Sequence, residues 1–203
     1  MRTILIATSN PGKLRDFAGA AATHNVEVMP IPNFGKLPQA IEDGETFESN
    51  ARKKAELYSR ANPGEIVLAD DSGLEVDFLN GEPGVRSARF AGEPVSDRKN
   101  VVKLLSLLSS CPDEKRFAKF RCVIVLKINE TEEIVAQGAC KGHIGYEPRG
   151  TSGFGYDPVF YPEGFEKTFA ELDATTKNSI SHRGKAIKAL KEKLYERLII
   201  QSR

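Results

Sequence analysis

The sequence predicts an α/β protein with an elongated mixed β-sheet flanked by helices, and three observations support this class. Apolar residues recur at helical spacing in several segments, short apolar runs lie between those segments, and two long extended runs follow each other in the second half of the chain. A chain of 203 residues can bury one sizeable core. Because no repeat or linker divides the chain, we treat residues 1–203 as a single domain.

Composition and charge limit the partners and the compartment. The formal net charge of +1 gives no electrostatic reason to expect a nucleic-acid polymer or a membrane surface as partner. The first apolar run is too short for a signal peptide, and no segment approaches the ~20 apolar residues of a membrane span. This predicts a cytoplasmic protein. Cys111, Cys122 and Cys140 form no Cys-x-x-Cys pair, so they indicate neither a disulfide framework nor a zinc site.

A first strand, predicted over residues 3–7, runs directly into the loop Thr8-Ser9-Asn10-Pro11-Gly12-Lys13. Asn10 is the predicted N-cap of the next helix, and Pro11 is its first residue. Such a loop presents backbone N–H groups and the positive end of the helix dipole, which suits phosphate oxygens. A plain capped turn is the alternative, and the glycine spacing excludes a Walker loop. The predicted inward face of the helix consists of Leu14, Phe17, Ala18 and Ala21.

A short strand is predicted over residues 26–29, and an acidic turn containing Glu42 then precedes a second helix capped by Thr46. The apolar stripe of this helix consists of Phe47, Ala51, Ala55 and Tyr58. Asn50 and Lys54 fall within that stripe. A buried ammonium needs an anionic partner, unless the lysine reaches solvent along its alkyl stem.

The middle of the chain, residues 66–77, combines an apolar run with two adjacent carboxylates, Asp70 and Asp71, followed by Ser72 and Gly73. We interpret it as a buried strand that ends at the two carboxylates, where the backbone turns sharply. Two like charges there are costly unless a cation or a reaction needs them. An ordinary acidic turn is the alternative, because these residue types are common in turns.

The second half adds more elements to the sheet. A glycine-rich loop is predicted over residues 80–92, followed by a helix that Ser96 caps and to which we assign no chemical role. A long antiparallel hairpin is predicted from residues 120–128 and 134–144. Gly138 and Gly142 in its second strand indicate a bend or a close approach of another backbone. The helix before the hairpin would bury Val101, Leu104, Leu105 and Leu108.

Two polar clusters follow. Residues 150–158 form a loop of glycines and aromatic residues, which offers rings for stacking on a flat ligand and backbone groups for reading its edge. Residues 177–185 crowd basic groups at the start of a helix, where the dipole disfavours cations unless an anion binds. A solvated charged turn is the alternative there. The last helix would bury Ile187, Leu190, Leu194 and Leu198.

Together these features match the parts of one ligand. The chain offers two anion-seeking segments, one aromatic loop, and three hard oxygen ligands in Glu42, Asp70 and Asp71. Carboxylates without nitrogen or sulfur ligands suit Mg²⁺, which is commonly shared with substrate phosphates. A magnesium-bound polyphosphate attached to a flat base would engage all of these features.

In order and spacing, seven motifs resemble those of the inosine triphosphate pyrophosphatase family, also called the Ham1-like family, across nearly the whole chain. Two departures are visible, Ser49 and Thr176, where the family usually has acidic residues. The motifs are Thr8-Ser9-Asn10-Pro11-Gly12-Lys13, Glu42-Asp43-Gly44 with Thr46-Phe47, Asn50-Ala51 with Lys54-Ala55, Ala69-Asp70-Asp71-Ser72-Gly73-Leu74, Pro83-Gly84-Val85 with Ser87-Ala88-Arg89, Phe154-Gly155-Tyr156-Asp157-Pro158 and Ser181-His182-Arg183-Gly184-Lys185-Ala186.

The resemblance implies a Mg²⁺-dependent homodimer that hydrolyses ITP, dITP and XTP to the monophosphate and pyrophosphate, with two lobes around a central cleft. It implies that Glu42 and Asp71 bind Mg²⁺, with Asp71 as proton acceptor and Asp70 able to share either duty. The residues implied to bind the substrate are Thr8, Ser9, Asn10, Pro11, Gly12, Lys13 and Lys54 for the triphosphate, Ser72, and Phe154, Gly155, Tyr156, Asp157, Lys177, His182 and Arg183 for the nucleotide and its base.

Two other functions remain open on the sequence. A Maf-like pyrophosphatase of similar architecture would act on pyrimidine or methylated nucleotides, and a nucleotide sensor would bind ITP without hydrolysing it. Selection against ATP would come from donors on His182, Arg183 or backbone N–H groups that face the 6-carbonyl of hypoxanthine or xanthine. No residue in the sequence accounts for the exclusion of guanine, and the sequence does not separate the duties of Asp70 and Asp71.

Overall fold

The structure, a computed structural model, describes residues 3–22 and 27–201, with side chains described through residue 196. These residues form one six-stranded sheet in the order β2-β1-β3-β4-β5-β6. The strands are β1 (Ile4–Ile6), β2 (Val28–Pro30), β3 (Ile66–Val76), β4 (Phe117–Lys127), β5 (Glu133–Ile144) and β6 (Phe160–Pro162). The helices are α1 (Pro11–Ala22), α2 (Phe47–Arg60), α3 (Asp97–Leu107), α4 (Ala174–Ile180) and α5 (His182–Gln201).

The sheet is mixed, as predicted. Strand β1 pairs in parallel with both β2 and β3, whereas β5 pairs antiparallel with β6. Strands β4 and β5 are neighbours joined by a short turn, a connection that only antiparallel strands allow. Among the described residues, no helix has both the length and the hydropathy that crossing a bilayer requires.

Contacts along the chain define two compact units. Unit 1 consists of Met1–Asp71, Cys122–Gly138 and Asn178–Arg203, and unit 2 consists of Ser72–Arg121 and Ala139–Lys177. Each of the strands β3, β4 and β5 begins in one unit and ends in the other. Neither unit is therefore a continuous segment of the chain.

In unit 1, helices cover both faces of the sheet. Successive strand residues point to opposite sides, so each strand contributes side chains to both faces. One face packs on α1 and α5, which also contact each other. The other face carries Val67 and Ala69 of β3, and α2 contributes its predicted stripe, which is fully buried. The core on the α1 and α5 side consists of Ile4, Ile6, Phe17, Ala20, Leu68, Cys122, Ile124, Leu126, Ile134, Ala136, Ala186, Ile187 and Leu190.

In unit 2, a buried arginine joins the end of α3 to β5. The guanidinium of Arg116 donates to the carbonyl of Leu108 at 2.9 Å and to those of Ile144 and Gly145 at 2.7 Å each. Its charge lies 4.2 Å from the centroid of the Tyr146 ring. All three carbonyls are thereby satisfied by one side chain, at the point where α3 has run out of its own N–H donors. A second cluster in this unit consists of the rings of Phe120, Phe160 and Phe169.

Four predictions on the fold need correction or lie outside the described residues. Strand β3 does not end at the two carboxylates but continues to Val76, and Leu74 and Val76 remain buried. On α1, Ala18 is exposed and Ala20 takes its place in the core. The predicted strand over 26–29 is Val28–Pro30, and Val26 and the side chain of Leu198 lie outside what the structure describes.

Candidate active site

The ammonium of Lys54 joins two acidic side chains in unit 1. Its Nζ lies 2.9 Å from Oε2 of Glu42 and 3.2 Å from Oδ1 of Asp71. The other oxygen of Asp71, Oδ2, accepts a hydrogen bond of 3.2 Å from Nδ2 of Asn50. Lys54 is buried on the inward face of α2. Its ammonium therefore needs an anionic partner, and it has two, Glu42 and Asp71.

The neighbouring carboxylate, Asp70, faces a different cation. Because Asp70 and Asp71 are consecutive strand residues, their side chains point to opposite faces of the sheet. Oδ2 of Asp70 lies 2.8 Å from Nζ of Lys13, at the start of α1. The two carboxylates therefore avoid each other and are each neutralised from a different helix.

Burial acts on both carboxylates, but the surrounding cations decide the direction of each pKa. Burial alone would raise the pKa of Asp70, yet the ammonium groups of Lys13 and Lys54 and the guanidinium of Arg183 outweigh it and hold that pKa below its usual value. For Asp71, burial outweighs the attraction of Lys54 and raises the pKa above its usual value. Asp70 is thus the fixed charge, and Asp71 is the better proton acceptor of the two.

The three carboxylates predicted to bind a metal contact two different lysines. Among the residues that the structure describes, no group of three or more histidine, cysteine, aspartate or glutamate side chains is placed to hold a metal ion. Glu42 and Asp71 converge on one cation, the Lys54 ammonium, whereas Asp70 is turned to Lys13.

The loop before α1 has the predicted cap. Oδ1 of Asn10 accepts from the backbone N–H of Gly12 at 2.8 Å and of Lys13 at 3.1 Å, and the N–H of Asn10 donates to Oγ1 of Thr8 at 3.2 Å. The expectation that these helix N–H groups are free for phosphate is therefore wrong for Gly12 and Lys13. Ser9 and Asn10 are exposed, and the positive end of the α1 dipole remains.

In the basic cluster around the start of α5, Lys177, His182 and Arg183 are buried, whereas Lys185 is exposed. Arg183 is 5% exposed and its Nη1 lies 2.9 Å from Oδ2 of Asp16 on α1, while His182 is 1% exposed. The first turn of α5 lies against β5, because a Cβ on Gly138 would collide with the carbonyl of His182 and the N–H of Ala186. The close approach predicted at Gly138 is confirmed.

In unit 2, the glycine-aromatic loop is organised by the carboxylate of Asp157. Its Oδ2 accepts from the N–H of Phe154 at 2.8 Å and from Nζ of Lys177 at 2.8 Å. Asp157 and Lys177 are both buried, and the Lys177 ammonium lies 5.6 Å from the centroid of the Phe154 ring. The structure thus groups three of the predicted base-binding residues around one ion pair.

Backbone N–H groups of this loop already donate hydrogen bonds within the protein. The N–H of Gly155 donates to Oδ2 of Asp97 at 2.7 Å, and the hydroxyl of Tyr156 donates to the carbonyl of Ser87 at 2.8 Å. The N–H of Phe154 donates to Asp157, so two of the loop's backbone N–H groups have partners within the protein. The ring of Phe154, which is half-buried, is what the loop offers for stacking. Ser72 lies within β3 and is also half-buried.

Three residues that contact candidate site residues were not predicted from the sequence as part of the site. Asn50 binds Asp71 and also joins the acidic turn to α2, because its Oδ1 accepts from the N–H of Gly44 at 2.8 Å. Its position in an apolar stripe was the available signal. Asp16 and Asp97 gave no signal, since their partners lie far away in the sequence. Ser49, a departure from the family pattern, completes a capping box with Thr46.

Comparisons with known proteins identify the family of the chain. A model of the Ham1 family matches residues 4–193. The dITP/XTP pyrophosphatase of Shouchella clausii is 48% identical over 192 residues, which are 95% of this chain and 96% of that protein. The corresponding enzyme of Desulforamulus reducens is 50% identical over 189 residues, which are 93% of this chain and 94% of that protein. The structure of the Staphylococcus aureus Ham1 protein matches with a TM-score of 0.82 at 41% identity, over 97% of this chain and 100% of that chain. The family predicted from the motifs is confirmed, and the chain belongs to the Ham1 family.

Proposed function

We propose that the chain hydrolyses ITP, dITP and XTP to the nucleoside monophosphate and pyrophosphate, which would remove these noncanonical nucleotides from the pool. The observation that carries the proposal is the Lys54 ammonium held between Glu42 and Asp71, beside the Asp70–Lys13 pair. Alternating positive and negative groups of this kind suit a polyphosphate and an attacking water. The names of relatives that are 48% and 50% identical support the choice of substrate.

Asp71 is the proposed proton acceptor. Water attacks the triphosphate, the bond between the α- and β-phosphates breaks, and the proton of the water passes to a carboxylate oxygen of Asp71. The hydrogen bond from Asn50 and the contact with Lys54 fix the plane of that carboxylate. Burial raises the pKa of Asp71 above its ordinary value, which strengthens it as a base.

The cations of unit 1 would bind the phosphates. Lys13 is held in place by the carboxylate of Asp70 at 2.8 Å, and Lys54 lies 2.9 Å from Glu42 and 3.2 Å from Asp71. Cations fixed in this way stabilise the negative charge that grows on the phosphoryl oxygens without having to reorganise during the reaction. In this proposal Asp70 positions Lys13 and does not take the proton.

Glu42 and Asp71 would hold Mg²⁺. The donors fit this ion, because two carboxylates already converge on one cation and hard oxygen ligands are those that Mg²⁺ prefers. When bound, Mg²⁺ neutralises charge on the polyphosphate. The role of Lys54 is then to balance the remaining negative charge of the pair and to contact the phosphates.

Base selection would rest on side chains rather than on the aromatic loop's amides. The N–H groups of Phe154 and Gly155 are used within unit 2, so Phe154 contributes its ring. Donors that face the 6-carbonyl of hypoxanthine would come from His182 and Arg183. A buried donor that meets the 6-amino group of adenine is left unpaired, which can reject ATP by about 10⁴-fold.

A panel of nucleoside triphosphates tests the proposal. Each nucleotide is incubated with the enzyme over a range of Mg²⁺ concentrations, and pyrophosphate and orthophosphate are assayed separately. We expect ITP, dITP and XTP to release pyrophosphate, with kcat/KM at least about 10²-fold above that of ATP, and no release without Mg²⁺. Turnover confined to pyrimidine or methylated nucleotides would favour the Maf-like alternative. Saturable ITP binding without hydrolysis would identify a sensor.

The homodimer implied by the family resemblance is a separate proposal. Sedimentation equilibrium over a range of protein concentrations tests it, because a dimer gives twice the mass of 22.3 kDa. A mass that stays at one chain would exclude it.

A further inference from the structure

Helix α3, to which the sequence assigned no chemical role, is connected to the aromatic loop of unit 2. Asp97, in the first turn of α3, accepts the hydrogen bond from the N–H of Gly155 at 2.7 Å. A carboxylate that accepts from a backbone N–H makes a charge-assisted bond, which is stronger than a neutral one. Asp97 and Gly155 are 58 residues apart in sequence, so this is a tertiary contact and not a local turn.

The backbone at Gly155 explains what this bond holds. Gly155 has a φ of +62°, in the left-handed region that side chains rarely adopt, and a Cβ placed there would meet no atom within 4 Å. The glycine is therefore required by its conformation and not by lack of space. A glycine is also free to leave that conformation, and the bond to Asp97 opposes this.

The start of α3 is itself fixed to its surroundings. Asn100 is 1% exposed, its Nδ2 donates to the carbonyl of Ala88 at 2.9 Å, and its Oδ1 accepts from the N–H of Ala91 at 2.7 Å. The adjacent carbonyl of Ser87 accepts the Tyr156 hydroxyl at 2.8 Å. The motif around residues 83–89, which the proposed function leaves unused, thus joins the helix and the aromatic loop.

Ser96, and not Asp97, caps the helix. Its side chain accepts from the N–H of Lys99 at 3.3 Å, as an N-cap residue does. Asp97 is exposed and adds to the helix only the modest effect of a negative charge near the positive end of the dipole. The burial of Tyr156, followed by the charge of Asp97, raises the pKa of the Tyr156 phenol, which agrees with a carboxylate facing this loop.

We propose that Asp97 is a positioning residue for base binding: through the N–H of Gly155 it fixes the left-handed turn that orients the ring of Phe154 for stacking on the purine. The inference rests on the proposed function for the identity of the ligand. Asp157 accepts from the N–H of Phe154, in the peptide group before this residue. Asp97 accepts from the N–H of Gly155, in the peptide group after it. Loss of either bond frees one of the two peptide units that set the ring's direction.

The test compares Asp97→Ala and Asp97→Asn with Ser96→Ala as the matched control. Ser96→Ala weakens the same end of α3 but leaves the bond to Gly155. We expect Asp97→Ala to raise KM for ITP about tenfold with kcat within about threefold of wild type, because a charge-assisted bond that orders the binding loop is lost. Asp97→Asn retains an oxygen acceptor, so we expect its KM for ITP to lie much closer to that of the wild type than the KM of Asp97→Ala. Ser96→Ala leaves KM within about twofold.

A second measurement does not depend on turnover. Hydrogen exchange of the Gly155 amide, followed by ¹⁵N NMR on the free protein, is expected to be about tenfold faster in Asp97→Ala and unchanged in Ser96→Ala. If the wild type hydrolyses no triphosphate, the proposed function fails, and the dissociation constant for ITP replaces KM in the same comparison. An unchanged KM or dissociation constant in both Asp97 variants overturns the inference. So does an equal effect of Ser96→Ala, which would assign the effect to the helix end.

Discussion

At the scale of single residues, adjacent carboxylates on a strand are given different environments. The side chains of Asp70 and Asp71 project from opposite faces of the sheet, so one meets Lys13 from α1 and the other meets Lys54 from α2. Burial favours a higher pKa for both; the surrounding cations outweigh it at Asp70, whose pKa is lowered, but not at Asp71, whose pKa is raised. In the proposed function, Asp70 therefore serves as a fixed charge and Asp71 as the base.

Substituting the two carboxylates by asparagine should separate these roles. We expect Asp71→Asn to lower kcat for ITP about 10²–10⁴-fold, because the proton acceptor is lost, while the melting temperature stays close to that of the wild type. Lys54 keeps Glu42 as a partner in that variant. We expect Asp70→Asn to lower the free energy of unfolding by about 2–4 kcal/mol, because the partly buried ammonium of Lys13 then lacks a counter-charge.

Kinetics with ITP and chemical denaturation, measured on the same preparations, check both expectations. Asp16→Asn serves as the control. It also removes a carboxylate, but one that lies on α1 and pairs with a different cation, Arg183. A wild-type kcat in Asp71→Asn would remove that residue from the chemistry. Equal losses of stability in the Asp70 and Asp71 variants would contradict the division between them.

At the scale of elements, local sequence predicted how helices begin. Asn10, Thr46 and Ser96 each cap the helix that the sequence assigned to them, because a cap depends on residues only two or three positions away. The end of β3 was not predictable in this way. Asp-Asp-Ser-Gly is common in turns, but neighbouring strands provide hydrogen bonds that keep it extended.

The contact between β5 and α5 depends on Gly138. A side chain there would strike the backbone of α5 at His182 and Ala186, which cannot move as a flexible side chain can. We expect Gly138→Ala to lower the free energy of unfolding by about 2 kcal/mol or more and to raise KM for ITP, because the shifted helix carries His182 and Arg183. Thermal unfolding and steady-state kinetics measure the two effects.

Gly35→Ala is the matched control for this substitution. A Cβ at Gly35 meets nothing within 4 Å, so the variant is expected to have a melting temperature equal to or slightly above that of the wild type. If Gly138→Ala behaves like Gly35→Ala, the tight contact between β5 and α5 is not present in solution.

At the scale of the whole molecule, sequence reasoning predicted the class of fold and the family but not the partners of the charged groups. The periodicity of the helices and the seven motifs are visible in the chain itself. By contrast, Arg183 and Asp16 are 167 residues apart and Lys13 and Asp70 are 57 apart. Such pairings arise only when the chain has folded, because a single sequence states which charges need partners and not which partners they find.

The path of the chain through the two units predicts cooperative unfolding. Strands β3, β4 and β5 each belong to both units, so melting one unit breaks strands that the other needs. We expect a single transition in calorimetry, with a calorimetric enthalpy equal to the van't Hoff enthalpy. Phe17→Ala in unit 1 and Leu104→Ala in unit 2, both buried, should each lower the midpoint of that one transition by about 5–15 °C. Two resolved transitions, each moved by one of the variants alone, would show that the units unfold separately in spite of the shared strands.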